Sequence, residues 1–241
     1  MTMPVIPCLR FAALAVGAAL HAAVLLLPLC FGGRSFENLH DGALGLFLAL
    51  MTLFFLAESR GSAMAELKVT RAGESASSTA PLASADRIHT RLAALTGGLI
   101  LAVLWIAVGE RTCQGSTGFA SPGPSALGAA LMLGGIALRY AAIRSLGRYF
   151  GNRITILPDQ SLVRTGIYRW LRHPSETGLL AIVLGTCLLL GSPVAATIGC
   201  LVLLPVVLWR IAGEDRQLAA AYAEEFAAYR RDVAGLVPFL V

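Results

Sequence analysis

The 241-residue chain is 56% hydrophobic and only 14% charged, with a mean hydropathy of +0.73 and a formal net charge of +5. Soluble domains carry roughly 25% charged residues, so the composition excludes an ordinary soluble domain and points to a polytopic membrane protein. There is no soluble basic domain with interleaved aromatics, which argues against nucleic acid as a partner.

About 20 apolar residues cross a bilayer as a helix. Four such spans are expected at residues 9–31, 42–57, 92–109 and 125–143. The first is read as a retained helix, because its apolar run is long for a signal peptide and no small-residue cleavage site follows. His21 lies inside it, and a lone histidine on an apolar helix is expected to hydrogen-bond a neighbouring helix. Residues 59–87 are polar and Ser/Ala-rich and read as a mobile linker. Residues 110–124 read as a short outer loop with Gly and Pro turns. Spans five and six are expected at 177–190 and 194–211, joined by the tight hairpin Gly191-Ser192-Pro193. Both are short, which suits tilt or burial. The expected fold is all-α: a membrane bundle of about six helices with a cytoplasmic amphipathic helix at the C-terminus.

With the N-terminus cytoplasmic, Arg34 and Arg111 fall outside and the other 17 of 19 basic residues fall on the cytoplasmic side or at its helix ends. Both termini are therefore expected in the cytoplasm, with the basic face against anionic lipid. Lys68 is the only lysine in a chain rich in Ala, Gly and Arg, which suggests a GC-rich genome and a bacterial inner membrane. The five cysteines lack metal-ligand spacing, so no metal is expected. Cys187 and Cys200 read as inert core residues. Cys30 and Cys113 lie near the same outer face, where an oxidising compartment would permit a disulfide.

The chain changes character after Ile143, and polar groups then recur beside every apolar run. This divides it into a four-span region, 1–145, and a chemistry-bearing region, 146–241. Ile154-Thr155-Ile156 is an extended-type run ended by the turn Pro158-Asp159-Gln160. Thr165-Gly166 turns the chain into a segment with Tyr168, Trp170 and Leu171, aromatics beside arginines that suit a membrane interface. Arg172-His173-Pro174 follows, and Pro174 is placed to open span five. A helix N-terminus flanked by Arg172 and His173 favours an anionic group. Gly178 has two readings, close helix packing or backbone approach by a flat ligand. Arg210 and Glu214 are four apart and share a helix face, either as an ordinary ion pair or as part of a site. Leu218, Tyr222, Phe226 and Tyr229 form the stripe of an amphipathic helix.

Together these blocks resemble the isoprenylcysteine carboxyl methyltransferase family and the related phospholipid N-methyltransferases. The resemblance is carried by LVRTGIYRWLRHPSETG at 162–178, RIAGEDRQL at 210–218, FAAY at 226–229 and VPF at 237–239. It covers about 80 residues, a third of the chain. Two positions depart from the family pattern: Glu176 stands where tyrosine is usual, and Asp215 where a second glutamate is usual. The resemblance implies S-adenosylmethionine as methyl donor, bound in a cytoplasmic pocket without a dinucleotide-binding domain. It implies cofactor contacts from Leu162, Val163, Gly166, Tyr168, Arg172, His173, Pro174, Gly178, Glu214 and Asp215, with Arg210 and Glu214 as the catalytic pair. The implied acceptor is a lipophilic molecule or lipid that enters from the bilayer and presents a carboxylate, an amine or a thiol. For a carboxylate Arg210 would hold the acceptor. For an amine or thiol Glu214, Glu176 or His173 would be candidate bases. The alternatives are an NADPH-dependent reductase of the sterol-reductase type and a non-catalytic membrane scaffold. The oligomeric state is not legible.

Overall fold

A computed structural model describes residues 42–72, 85–114, 122–150 and 161–237. The first expected span, His21, Cys30 and the 154–160 run lie outside these residues. The described part is helical. α1 spans Gly42–Ala72, α2 Ala85–Gln114, α3 Pro122–Leu146, α4 Pro174–Leu190 and α5 Pro193–Asp232. Single 3-10 turns lie at Gly147–Tyr149 and Gly166–Arg169. By length and composition, Ala94–Cys113, α3 and α5 can cross a membrane, and Gly42–Glu58 and α4 are shorter apolar helices. Their shared core includes Phe47, Met51, Val103, Met132, Ile182, Leu189 and Val207.

Three elements differ from the sequence reading. The expected linker at 59–87 is helical up to Ala72, because α1 runs well past its apolar part. The C-terminal amphipathic helix is not a separate element: α5 continues without a loop from Pro193 to Asp232. Its irregularities are a π-helical turn at Gly199–Leu203 and a break at Ala223, where φ is 39° and ψ −112°. The π turn lies just before Pro205, whose ring displaces the carbonyl four residues earlier. Of the two cysteines read as core, Cys187 is buried and Cys200 is exposed.

The hairpin between α4 and α5 forms where Gly191-Ser192-Pro193 predicts it. Gly191 adopts the left-handed conformation, φ 65°, and its N–H caps the end of α4. The Ser192 hydroxyl donates to Glu110 of α2, and the amides of Val194 and Ala195 also donate to that carboxylate, at 3.4 and 3.1 Å. Glu110 therefore caps α5 across the bundle. Cys113 is an exposed free thiol near this end.

α3 and α4 are antiparallel and packed backbone to backbone. A Cβ on Gly135 would lie 2.5 Å from the Gly178 carbonyl oxygen, and one on Gly178 would lie 2.6 Å from that of Gly135. Two turns away, a Cβ on Gly128 would lie 2.6 Å from the Gly185 carbonyl oxygen, in the same register. Small residues at a seven-residue spacing on both helices let the axes approach this closely. Thr186 of α4 lies at 3.7 Å from the Met132 sulfur and also returns its hydroxyl to Ile182 O.

A methyl group at Gly178 is therefore expected to push α3 away. Gly178→Ala should destabilise the detergent-solubilised protein by about 2–3 kcal/mol in thermal unfolding. Gly134→Ala, beside Gly135 but with nothing within 4 Å, should leave the melting temperature unchanged.

Candidate functional site

The end of the bundle opposite the hairpin gathers the ionisable groups. Pro174 is the first residue of α4, as expected, with His173 just before it. The preceding strand-like segment pairs with the returning C-terminal tail: Leu171 bridges Ala234, Arg172 N–H donates to Ala234 O at 2.8 Å, and His173 N–H donates to Gly235 O at 3.1 Å. Thr177 Oγ1 donates to Leu236 O at 2.8 Å. These bonds pin the start of α4 under the last residues described.

Asp215 of α5 holds this start from the other side. One carboxylate oxygen accepts from Arg172 Nη1 at 2.7 Å and the other lies 2.8 Å from His173 Nε2. Arg172 Nε donates to Val233 O at 3.0 Å, so its fork is fixed between α5 and the tail. The other ring nitrogen of His173 lies 3.7 Å from Glu214. Burial opposes a charge on this imidazole. The hydrogen bond to Asp215 and the negative charges of Glu214 and Asp215 outweigh it and raise the His173 pKa to about 9. His173 is thus an imidazolium at neutral pH, hydrogen-bonded through Nε2 to Asp215 and ion-paired through Nδ1 with Glu214. Asp215 has both oxygens engaged. Glu214 has a side chain about one-third exposed, 32%, and keeps acceptor capacity.

The expected Arg210–Glu214 pairing is replaced by another. The carboxylate in reach of Arg210 is Glu176 of α4, with Nη2–Oε1 at 3.4 Å. Glu176 is the acidic residue in the first turn of α4. Its side chain is 7% exposed, and its second oxygen has no hydrogen-bond partner among the described residues.

Arg139 of α3 is the residue that the sequence reading passed over. Its Nε and Nη2 donate to the two oxygens of Glu58 in α1, both at 2.7 Å, and Nη1 donates to Ser175 Oγ at 2.8 Å. A single arginine inside an apolar span is costly, and that cost is the signal that marks it as a constrained position.

The remaining candidates fall in three places. Tyr168 is buried in the 3-10 turn, and its carbonyl accepts from Tyr229 Oη at 2.6 Å. Burial, then the charges of Glu214, Tyr229 and Glu176, push its phenol upward against the opposing pull of Arg139. Tyr168 therefore lies within the electrostatic reach of α3, α4 and α5 at once. Leu162 packs on the Phe226–Tyr229–Val233 cluster, and Val163 is half-buried beside it in sequence. Gly166 has φ 63° and faces the Ser145 side chain, a turn position that only glycine fills without strain. Gly178 is not brought to the ionic cluster, because its α-carbon is against α3. Arg164 donates to the Glu225 carbonyl and stacks 5.5 Å from the Tyr229 ring, tying the segment before the turn to α5. Among the described residues, no group of three His, Cys, Asp or Glu side chains could hold a metal.

The raised His173 pKa carries a sign. The charge on His173 stabilises the fold fully below about pH 6.5, the unfolded value, and that contribution is lost as pH rises through about 9. Stability in detergent should fall between pH 7 and 10, by on the order of 3 kcal/mol from this group. Asp215→Asn should destabilise the protein at pH 7 and flatten that profile, as read by melting temperature against pH.

Residues 128–220 match the model of the Isoprenylcysteine carboxyl methyltransferase (ICMT) family. The chain is 33% identical over 116 residues to Protein-S-isoprenylcysteine O-methyltransferase of Saccharomyces cerevisiae, 47% of this chain and 48% of the yeast protein. It is 34% identical over 118 residues to Protein-S-isoprenylcysteine O-methyltransferase A of Arabidopsis thaliana, 48% of this chain and 60% of the plant protein. The matches thus span about half the length of these relatives. The fold resembles the solved structure of the eukaryotic intramembrane Ras methyltransferase ICMT, with TM-score 0.54, 20% identity, and coverage of 99% of this chain and 88% of that one. Residues 128–220, which include the start of α4 and the charged part of α5, are thus similar to the isoprenylcysteine carboxyl methyltransferase family, and the bundle shares its fold with a solved member.

Proposed function

We propose that the chain is an integral membrane methyltransferase that uses S-adenosylmethionine and acts on a lipophilic, membrane-accessible acceptor. The observation that carries the reading is the position of Glu214. It holds a partly buried carboxylate beside a buried imidazolium, between the start of α4 and α5, within the region that matches the family model. Supporting it are relatives whose names describe O-methylation of S-isoprenylcysteine proteins. The region 146–241 is taken as the catalytic part and 1–145 as a membrane-spanning part. The cluster is taken to face the cytoplasm of a bacterial inner membrane, following the distribution of basic residues.

The residues present fit such a donor. S-adenosylmethionine, when bound, supplies a methyl group already activated on a sulfonium. Glu214 has acceptor capacity for its ammonium or its ribose hydroxyls. Leu162, Val163, Gly166 and Tyr168 supply apolar and backbone surface beside it, and Pro174 fixes the first turn of α4. Arg172, His173 and Asp215 act as positioning residues, since their polar atoms are engaged with one another and with the tail. Arg210 lies at the boundary between the cluster and the apolar part of α5, where it can orient a polar head group whose tail remains in lipid. The chain's work is alignment and exclusion of water rather than proton transfer to the donor.

Calorimetry in detergent with S-adenosylmethionine, its demethylated product and NADPH tests this reading. Micromolar binding of the first two and none of NADPH is expected. Glu214→Gln should weaken both by about tenfold or more. Arg210→Ala should abolish methyl transfer and leave cofactor binding near wild type, and it should lower the melting temperature because it strands the buried Glu176 carboxylate. NADPH binding alone would favour a reductase, and binding of none by the folded protein would favour a scaffold.

A further inference from the structure

Glu176 is unusual in three respects that act together. It is an acidic side chain in an apolar helix, it is more than nine-tenths buried, and only one of its oxygens is used. A buried carboxyl oxygen without a donor costs roughly 1–3 kcal/mol, which a bound hydrogen-bond donor would recover. The surroundings also fix its charge balance. Arg210 is paired with Glu176, and the nearby guanidinium of Arg139 is already bidentate with Glu58. Among the described residues, the two cations at the apolar edge of the cluster, Arg210 and Arg139, are therefore each matched by a carboxylate already. Burying a further carboxylate here would set it against Glu176 at Arg210, and like charges in a desolvated site repel strongly.

We infer that Glu176 selects the methyl acceptor: it accepts a hydrogen bond from a protic head group, an amine or a hydroxyl on a lipophilic tail, and disfavours a bare carboxylate. This rests on the methyltransferase reading above and narrows its substrate class. Arg210 holds one oxygen of Glu176 so that the other stays directed to the acceptor. In the transfer, the nitrogen or oxygen lone pair of the acceptor forms the new bond to the methyl carbon. The sulfur–methyl bond breaks with its electron pair retained by sulfur, and the proton displaced from the acceptor passes to the free oxygen of Glu176. A carboxylate acceptor has no proton to displace and nothing to donate to that oxygen.

The test uses the full chain in detergent and three S-farnesyl thioethers that share one tail and end in a primary amine, a hydroxyl or a carboxylate. Methyl transfer from labelled S-adenosylmethionine is measured for each, and cofactor affinity is measured separately by calorimetry. The better protic probe should exceed the carboxylate probe by about tenfold or more in kcat/KM. Glu176→Gln should shrink that ratio by about tenfold while changing cofactor affinity by less than about twofold. If the variant fails to fold, the wild-type preference decides by itself. A wild-type preference for the carboxylate overturns the inference. So does an unchanged ratio in a folded Glu176→Gln, or cofactor binding without transfer to either protic probe. Absence of cofactor binding removes the methyltransferase reading itself and the inference with it, an outcome that calorimetry separates from a wrong acceptor class.

Discussion

The carboxylate of Asp215 is the interaction on which the charged end of the bundle depends. Two cations from consecutive residues, Arg172 and His173, converge on its two oxygens. Neither cation has water enough to be solvated there, since the His173 side chain is 3% exposed and that of Arg172 is 11%. Ion pairs buried this deeply add little over a well-packed apolar contact, but removing one partner strands the others and costs about 3–5 kcal/mol. The cluster is therefore a device for position. It fixes the first residue of α4 against α5 and leaves the C-terminal tail no alternative to the backbone bonds at Arg172 and His173.

Around that anchor the neighbouring residues divide their tasks by what is already bonded. Asp215 has no acceptor capacity to offer a ligand, whereas Glu214, the preceding residue, does. Arg139 is fully engaged with Glu58 and Ser175, and it links α1, α3 and the first turn of α4. The glycine contacts between α3 and α4 set how closely that link can form, because the Gly135–Gly178 contact lies one turn from Arg139. At the far end, Glu110 caps α5 and fixes the hairpin. The bundle is thus constrained at both ends by carboxylates that cross between helices, with a glycine seam between them.

Much of the architecture was legible in the sequence because apolar length and turn chemistry are local signals. The Gly191-Ser192-Pro193 joint and the Pro174 start were readable for that reason. The continuity of α5 was not: the polar run after Arg210 looked like a change of element, although alanine-rich sequence propagates the helix past the apolar part and, across the break at Ala223, on to Asp232. At the site, the residue set RHP and ED was legible, but its pairing was not. Arg210 and Glu214 share a helix face by spacing, yet Glu176 from α4 reaches Arg210 instead, a tertiary contact that no spacing reveals. Arg139 and Glu58 are 81 residues apart and carry no motif. Only the cost of an arginine in an apolar helix pointed to it. The dual reading of Gly178 resolved to packing in the structure because an antiparallel glycine partner lies on α3.

The proposed role of the cluster makes one claim above the rest: the methyl donor is held between the 162–178 segment and the polar turn after Arg210. Hydrogen–deuterium exchange of the detergent-solubilised chain, with and without S-adenosylmethionine, measures this directly. Protection confined to backbone amides of residues 162–178 and 210–218 is the result the arrangement requires. Protection confined to the α4–α5 hairpin end, where Glu110 of α2 lies, would place the ligand at the opposite side of the bundle and contradict it.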